Sequence, residues 1–212
     1  MPNTKTQGTI FYAESARAAT INITGITQAA AAVVTAANTY ANGSVVFITG
    51  IVGMTPLNDR AFYISGVSGA SFTLNGENTT ADPAWVSGGT AALCTMQNIG
   101  QVADATLFDG KSTEVDITHL LSAAKQFQSG LEDFGNVSLS LILDNVTPDA
   151  GQALLRTIRN AQAIKSFQIS TIDGKNCAFT ASVMSFPVDV KKDGILTSQV
   201  MLRVSNEPQY FA

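Results

Sequence analysis

Charged side chains are few: 13% of the 212 residues, 12 basic against 16 acidic, for a net charge of -4. Tight binding to nucleic acid draws on concentrated Lys and Arg, yet the largest basic cluster is the pair Lys191-Lys192, which argues against a nucleic-acid binder. A single histidine, His119, leaves a histidine-rich metal site or a catalytic triad resting on one side chain, and it reads as solvated. Cys94 and Cys177 lie too far apart for a close-set metal pair and read as free thiols. The N-terminus is polar, and the alanine-rich stretch 29–36 is far too short to span a bilayer, so no membrane insertion is expected. Without a secretory signal, the Asn-x-Ser/Thr triplets at Asn22, Asn42, Asn78, Asn136 and Asn145 read as β-type composition, not as glycosylation sites.

What is present is a globular composition, 45% hydrophobic, in a chain long enough to bury a core without staples. Charge is unevenly spread: between Thr20 and Ala92 only Asp59, Arg60, Glu77 and Asp82 are charged, and nine of the 17 glycines fall there. Short β-type runs at 21–27, 45–51, 62–67 and 71–74 are separated by turn chemistry at Asn42-Gly43, Gly53, Gly66, Gly69, Asn75-Gly76 and Ser87-Gly88-Gly89. Strands at this spacing predict a small β-barrel or sandwich, with Trp85 plugging its core. The domain expectation is a first framework strand in 1–19, an inserted β-module in 20–92 and the rest of the framework in 93–212.

The framework reads as strand, loop, strand, helix and three strands. Val115 and Ile117 alternate with Glu114, Asp116 and Thr118, and residues 120–135 carry no sustained period, which predicts a long loop. Val137, Leu139 and Leu141 then alternate with Ser138 and Ser140 as a half-buried strand. Thr147-Pro148-Asp149 supplies a helix start, and Ala150, Leu154, Ile158, Ala161 and Ile164 fall on one arc, with Gln152, Arg156, Arg159 and Asn160 facing away. Hairpin-linked strands follow, with Val200, Leu202 and Val204 opposite Gln199, Met201 and Arg203 in the last.

Motifs for chemistry are weak. Gly110-Lys111-Ser112 resembles the end of a P-loop, but Ala105 stands where the first glycine belongs, and the triplet leads towards a strand instead of a helix N-terminus. The pairs Glu114/Asp116 and Glu132/Asp133 carry acid/base chemistry only on spacing, and like charges on one strand face more often mean a solvated face. No enzyme activity and no cofactor are expected.

The run Asp116-Ile117-Thr118 to Lys125-Gln126-Phe127, followed by Ser129-Gly130-Leu131-Glu132-Asp133-Phe134-Gly135-Asn136-Val137, resembles the strand, loop and strand of lambda-like phage tail tube proteins. Ser129 and Glu132 stand where the family more often has proline and lysine. The similarity continues through Gly151-Gln152-Ala153-Leu154, Phe186-Pro187-Val188-Asp189 and Val200-Met201-Leu202-Arg203-Val204, and spans 1–19 and roughly 93–212. Residues 20–92 are similar to a small β-module of phage virion proteins that resembles the first catalytic-cysteine half-domain of ubiquitin-activating enzymes. Only its fold carries over, since 20–92 contain no cysteine.

The resemblance implies a mainly β fold, a tail-tube-type β-sandwich or barrel with one packed α-helix. It also implies a virion structural protein: hexameric rings of this chain stack into a tube, with a tape measure protein in the lumen, terminator and tail-tip proteins at the ends, and genomic DNA in transit. Before assembly the protein would reside in the host cytoplasm. The inter-ring loop would hold Leu120, Leu121, Lys125, Phe127, Leu131, Glu132, Asp133 and Phe134. Strand alternation offers Glu114, Asp116, Ser138, Ser140, Thr180 and Ser182 as a polar, acidic lumen wall. The rival readings are a phage adhesin or decoration protein binding saccharide through 20–92, and a β-rich hydrolase using Glu114 and Asp116.

Overall fold

The computed structural model describes residues 7–120, 123–143, 149–190, 192 and 194–211. In chain order it contains β1 (Ile10–Arg17), β2 (Ile21–Ile26), β3 (Val33–Ala36), β4 (Val45–Val52), β5 (Arg60–Ser68), β6 (Ser71–Leu74), β7 (Ser87–Ile99) and β8 (Val102–Thr106). These are followed by β9 (Glu114–Asp116), β10 (Phe127–Ser129), β11 (Asn136–Ile142), α1 (Ala150–Ala161), β12 (Ile164–Ser170), β13 (Asn176–Ser185) and β14 (Thr197–Val204). The fold is mainly β with a single α-helix among the described residues.

Six strands, in the order β2-β3-β6-β5-β4-β7, form a barrel, closed where β7 returns to β2 with Ile21 opposite Ala91 and Asn22 opposite Thr90. Alternation directs Val34, Val46, Ile48, Phe62, Ile64, Phe72 and Leu74 into its interior, where all are fully buried. Trp85 lies half-buried against this core, and its indole Nε1 donates to Gly88 O at 3.1 Å. Gly53, at φ +96°, is required twice over: the left-handed backbone favours glycine, and a Cβ there would collide with Ala84 O.

The long β7 serves two sheets. Its residues 87–94 pair with β4 in the barrel, and its residues 94–99 pair with β1 outside it. Arg17 at the end of β1 lies opposite Cys94, so the chain enters and leaves the barrel at adjacent points. From β7 the second sheet continues β1-β12-β13-β14-β11-β8, every neighbour antiparallel. Its two end strands, β7 and β8, are separated in sequence by only Gly100 and Gln101, so the sheet must curl until its ends meet. The curl encloses a second core, including Phe11, Ile99, Leu139, Phe167, Phe179 and Leu202, with Leu155 and Ile158 of α1 inserted into it.

Helix α1 sits at that corner, and its start and phase depart from the sequence expectation. Thr147 and Pro148 lie outside the described residues; the N-cap is Asp149, whose carboxylate accepts from Gln152 N at 2.9 Å and from Gly100 N at 3.1 Å. The buried positions are Gly151, Gln152, Leu155 and Ile158. Gln152, expected to face away, turns inward because the corner leaves two carbonyls to satisfy: its Nε2 donates to Gly100 O at 3.1 Å and Ile142 O at 2.9 Å. Gly151 meets the Asn98 carbonyl so closely that a Cβ would not fit. The helix stops at Ala161 with Gln162 left-handed at φ 50°, and Ile164, assigned from sequence to the helical arc, begins β12.

Candidate assembly surface

Between β8 and β11 the chain leaves the large sheet and returns as an arm. Among the described residues β9 and β10 pair only with each other, Phe127 opposite Asp116 and Ser129 opposite Glu114. Residues 120–135, expected as a loop without periodic structure, thus contribute one strand of a two-stranded ribbon. Just beyond the ribbon, Ile117 N donates to Gln126 O at 2.9 Å, and Gln126 N donates to the Thr118 hydroxyl at 3.0 Å.

The base of the arm is tied down. Asp133 accepts from Gly135 N at 2.8 Å and pairs with Arg203 at 2.7 Å, and these contacts hold its carboxyl below the usual carboxylate range. Gly110 approaches the backbone of Asp133 and Phe134 too closely to carry a Cβ, and Phe134 packs against the core of the curled sheet. Gly110-Lys111-Ser112 leads into β9, not into a helix.

The outer part of the arm is apolar and uncovered within the chain. Val115 is 49% exposed, Ile117 46%, Phe127 49% and Leu131 87%, and Leu120 is fully exposed. Lys125 and Glu132 are exposed beside them. Leu121 lies outside the described residues. Glu114 and Asp116 also belong to this ribbon, not to the large sheet. Their assignment to a sheet wall assumed that Val115 and Ile117 were buried, whereas both are about half exposed. Hydrogen bonds from the Thr118 hydroxyl and from Thr118 N, the latter at 2.8 Å, lower the Asp116 pKa.

The remaining candidates share the face of the large sheet turned away from its core, but not one environment. Ser138 lies opposite Met201 and Thr106, and Ser140 opposite Gln199 and Asp104, forming a partly open polar strip with Ser182. Thr180 is buried, because the barrel covers this part of β13; its hydroxyl donates to Asp59 O at 3.4 Å. A face read from alternation alone missed the barrel lying across it.

Other chemistry is limited. Burial raises the Cys94 thiol to about 11 and the Cys177 thiol to about 12, so neither is a thiolate nucleophile at neutral pH. Among the described residues no group of His, Cys, Asp and Glu is placed to hold a metal ion, and no helix is long and apolar enough to cross a membrane. A cleft of about 630 Å³ opens between the start of β1, β8 and the end of β12, lined mainly by apolar groups such as Phe11, Val102, Leu107 and Phe211, with Asp104 the one ionisable side chain among the described lining residues.

Sequence reasoning missed a buried carboxylate where barrel and sheet join. Glu14, with no solvent exposure, accepts from Arg17 Nε at 3.1 Å and Nη2 at 2.7 Å, from Ser166 N at 3.0 Å and from Lys165 Nζ at 3.3 Å. Burial alone would raise its pKa, but the Arg17 and Ser166 hydrogen bonds outweigh burial and hold it below the ordinary value. The Arg17 guanidinium also stacks 3.8 Å above the Phe47 ring of the barrel. No spacing signal marks Glu14, since its partners come from β1 and β12.

Compared with known proteins, the chain matches no protein-family model and no curated protein sequence.

Proposed function

We propose that this chain is a structural virion protein, the major tail tube protein of a long non-contractile phage tail, whose copies close into rings of six and stack as a DNA-conducting tube. The observation that carries this reading is the arm: a ribbon anchored at its base by Asp133 and Phe134, with Val115, Ile117, Leu120, Phe127 and Leu131 exposed beyond it. Apolar groups at such density on a projecting ribbon favour a protein partner.

The partner is a second copy. The arm springs from the end of the sheet where Asn136 faces Arg203; at the other end, where Ile142 faces Thr197, the β13–β14 connection exposes Val188, Val190 and Ile195. Two different apolar surfaces at opposite ends of the same strands suit a head-to-tail contact, which propagates instead of closing on itself. The strip of Ser138, Ser140, Ser182 and Gln199 is the candidate lumen wall. Its neighbouring cation, Arg203, is neutralised by Asp133, so transiting phosphates would find little to hold them. In this reading the tape measure protein fills the lumen before infection, and terminator and tail-tip proteins cap the ends.

Negative-stain microscopy and light scattering of the purified chain test the proposal. Rings or tubes of uniform bore are the expected result, and a monomer at every concentration would overturn it.

A further inference from the structure

Residues 206–210 finish one edge of the closed barrel. On the side of β5 that faces β6, strand pairing begins only at Ile64, while residues 60–63 pair with β4 on the other side. Ile64 directs its N–H and C=O to Ser44 and Gly43, so the N–H and C=O of Tyr63 point the opposite way, towards Asn75 just past β6, whose N–H reaches Tyr63 O at 3.1 Å. The side chain of Gln209 takes up the other half of this pair, between Tyr63 N–H and Asn75 O. Its Oε1 accepts from Tyr63 N at 2.6 Å, and its Nε2 donates to Tyr63 O at 3.2 Å and to Asn75 O at 2.5 Å. A primary amide carries the same donor and acceptor as a peptide group, so one glutamine completes a backbone pair that Tyr63 and Asn75 close on one side only.

The same segment grips both bodies. Gln209 N donates to Ala178 O at 2.8 Å, and Ala178 N donates back at 3.3 Å, fastening the segment to β13. Arg60, 3% exposed, donates from Nε to Glu207 O at 2.9 Å while its other nitrogens hold Glu77. Asn206 Nδ2 donates to Asp59 O at 2.8 Å. Beyond them the Tyr210 ring meets Phe108 at 5.9 Å, at the root of the arm. By contrast, the covalent links between barrel and sheet, residues 18–20 and β7 at Cys94, lie side by side and would act as one hinge.

We infer that residues 206–210 are a strap that completes the β5 edge of the barrel and locks the barrel onto the sheet, fixing an orientation that the paired hinge strands alone leave free. The inference is independent of the assembly reading. Hydrogen exchange of the full chain, compared with Gln209→Ala and with a chain ended after Ser205, tests it. Gln209→Ala removes three hydrogen bonds and leaves the backbone bridge to Ala178. Exchange in β5 and β6 should accelerate by about tenfold or more, with protection in β11 and β14 unchanged. Gln209→Glu, which can accept from Tyr63 N but cannot donate to Tyr63 O or Asn75 O, should resemble Gln209→Ala. Unaltered exchange in β5 and β6 of Gln209→Ala would overturn the strap, as would an equal loss of protection in β11. Spin labels at exposed Ser68 and Gln199 supply a second readout: a distance distribution broader in the truncated chain supports the lock, and an identical one rejects it.

Discussion

Glu14 shows how much one residue can hold. Its folded pKa is depressed, so its stabilising contribution is complete above the ordinary value of 4.5 and fades as pH falls through the folded value. Glu14→Gln should therefore cost about 1–3 kcal/mol at pH 7, where charge-assisted bonds to Arg17 and Lys165 are lost, and less at pH 3, below the ordinary value. Urea unfolding of both proteins at the two pH values measures this, and an equal difference at both would reject the assignment. Gln152 makes a similar point without charge. Gln152→Leu keeps the volume but strands the carbonyls of Gly100 and Ile142, and should destabilise by about 2 kcal/mol in the same assay.

Among the elements, the arm and α1 are governed by different forces. The helix is determined by a cap, a glycine contact and two core residues, all satisfied within one chain. The ribbon β9–β10 satisfies its backbone bonds but leaves its apolar side chains in water, an arrangement that an isolated two-stranded ribbon sustains only marginally. Its hydrogen exchange should be fast in free protomers and slow in assembled material. The double variant Phe127→Ser, Leu131→Ser should leave the free energy of unfolding within about 0.5 kcal/mol of wild type, because neither side chain is in a core, and should abolish assembly. Normal tubes from that variant would remove the arm from the contact.

For the whole molecule, the question is how independent the barrel is. It owns a closed ring of strands and a separate core, yet it shares β7 with the sheet, rests on β13 and takes bonds from Arg60, Tyr63 and Asn75 to the C-terminal strap. Replacing residues 20–92 with a short Gly/Ser linker uncovers the β13 face holding Ala178 and Thr180. The remaining sheet should fold with its midpoint lowered, and should assemble if the barrel lies outside the ring contact. Electron microscopy of that variant decides, since folded protein without rings would place the barrel in the contact.

Local patterning was enough to determine the buried faces of β11 and β14. The alternation of Val137, Leu139 and Leu141, or of Val200, Leu202 and Val204, appears in the structure as read, because a strand buried on one face admits little else. The charge-poor, glycine-rich stretch likewise marked the barrel, since short strands need frequent reversals. What tertiary structure alone decided is which faces stay open and which polar groups go inside. Thr180 is buried by a barrel distant in sequence, Glu14 by partners from β12, and Gln152 by carbonyls left at a closing corner. Glu114 and Asp116 left the sheet because β9 pairs with β10 instead of with a strand of the sheet. Periodicity records a residue's neighbours along the chain, whereas burial and polar satisfaction depend on whatever the rest of the chain lays across it.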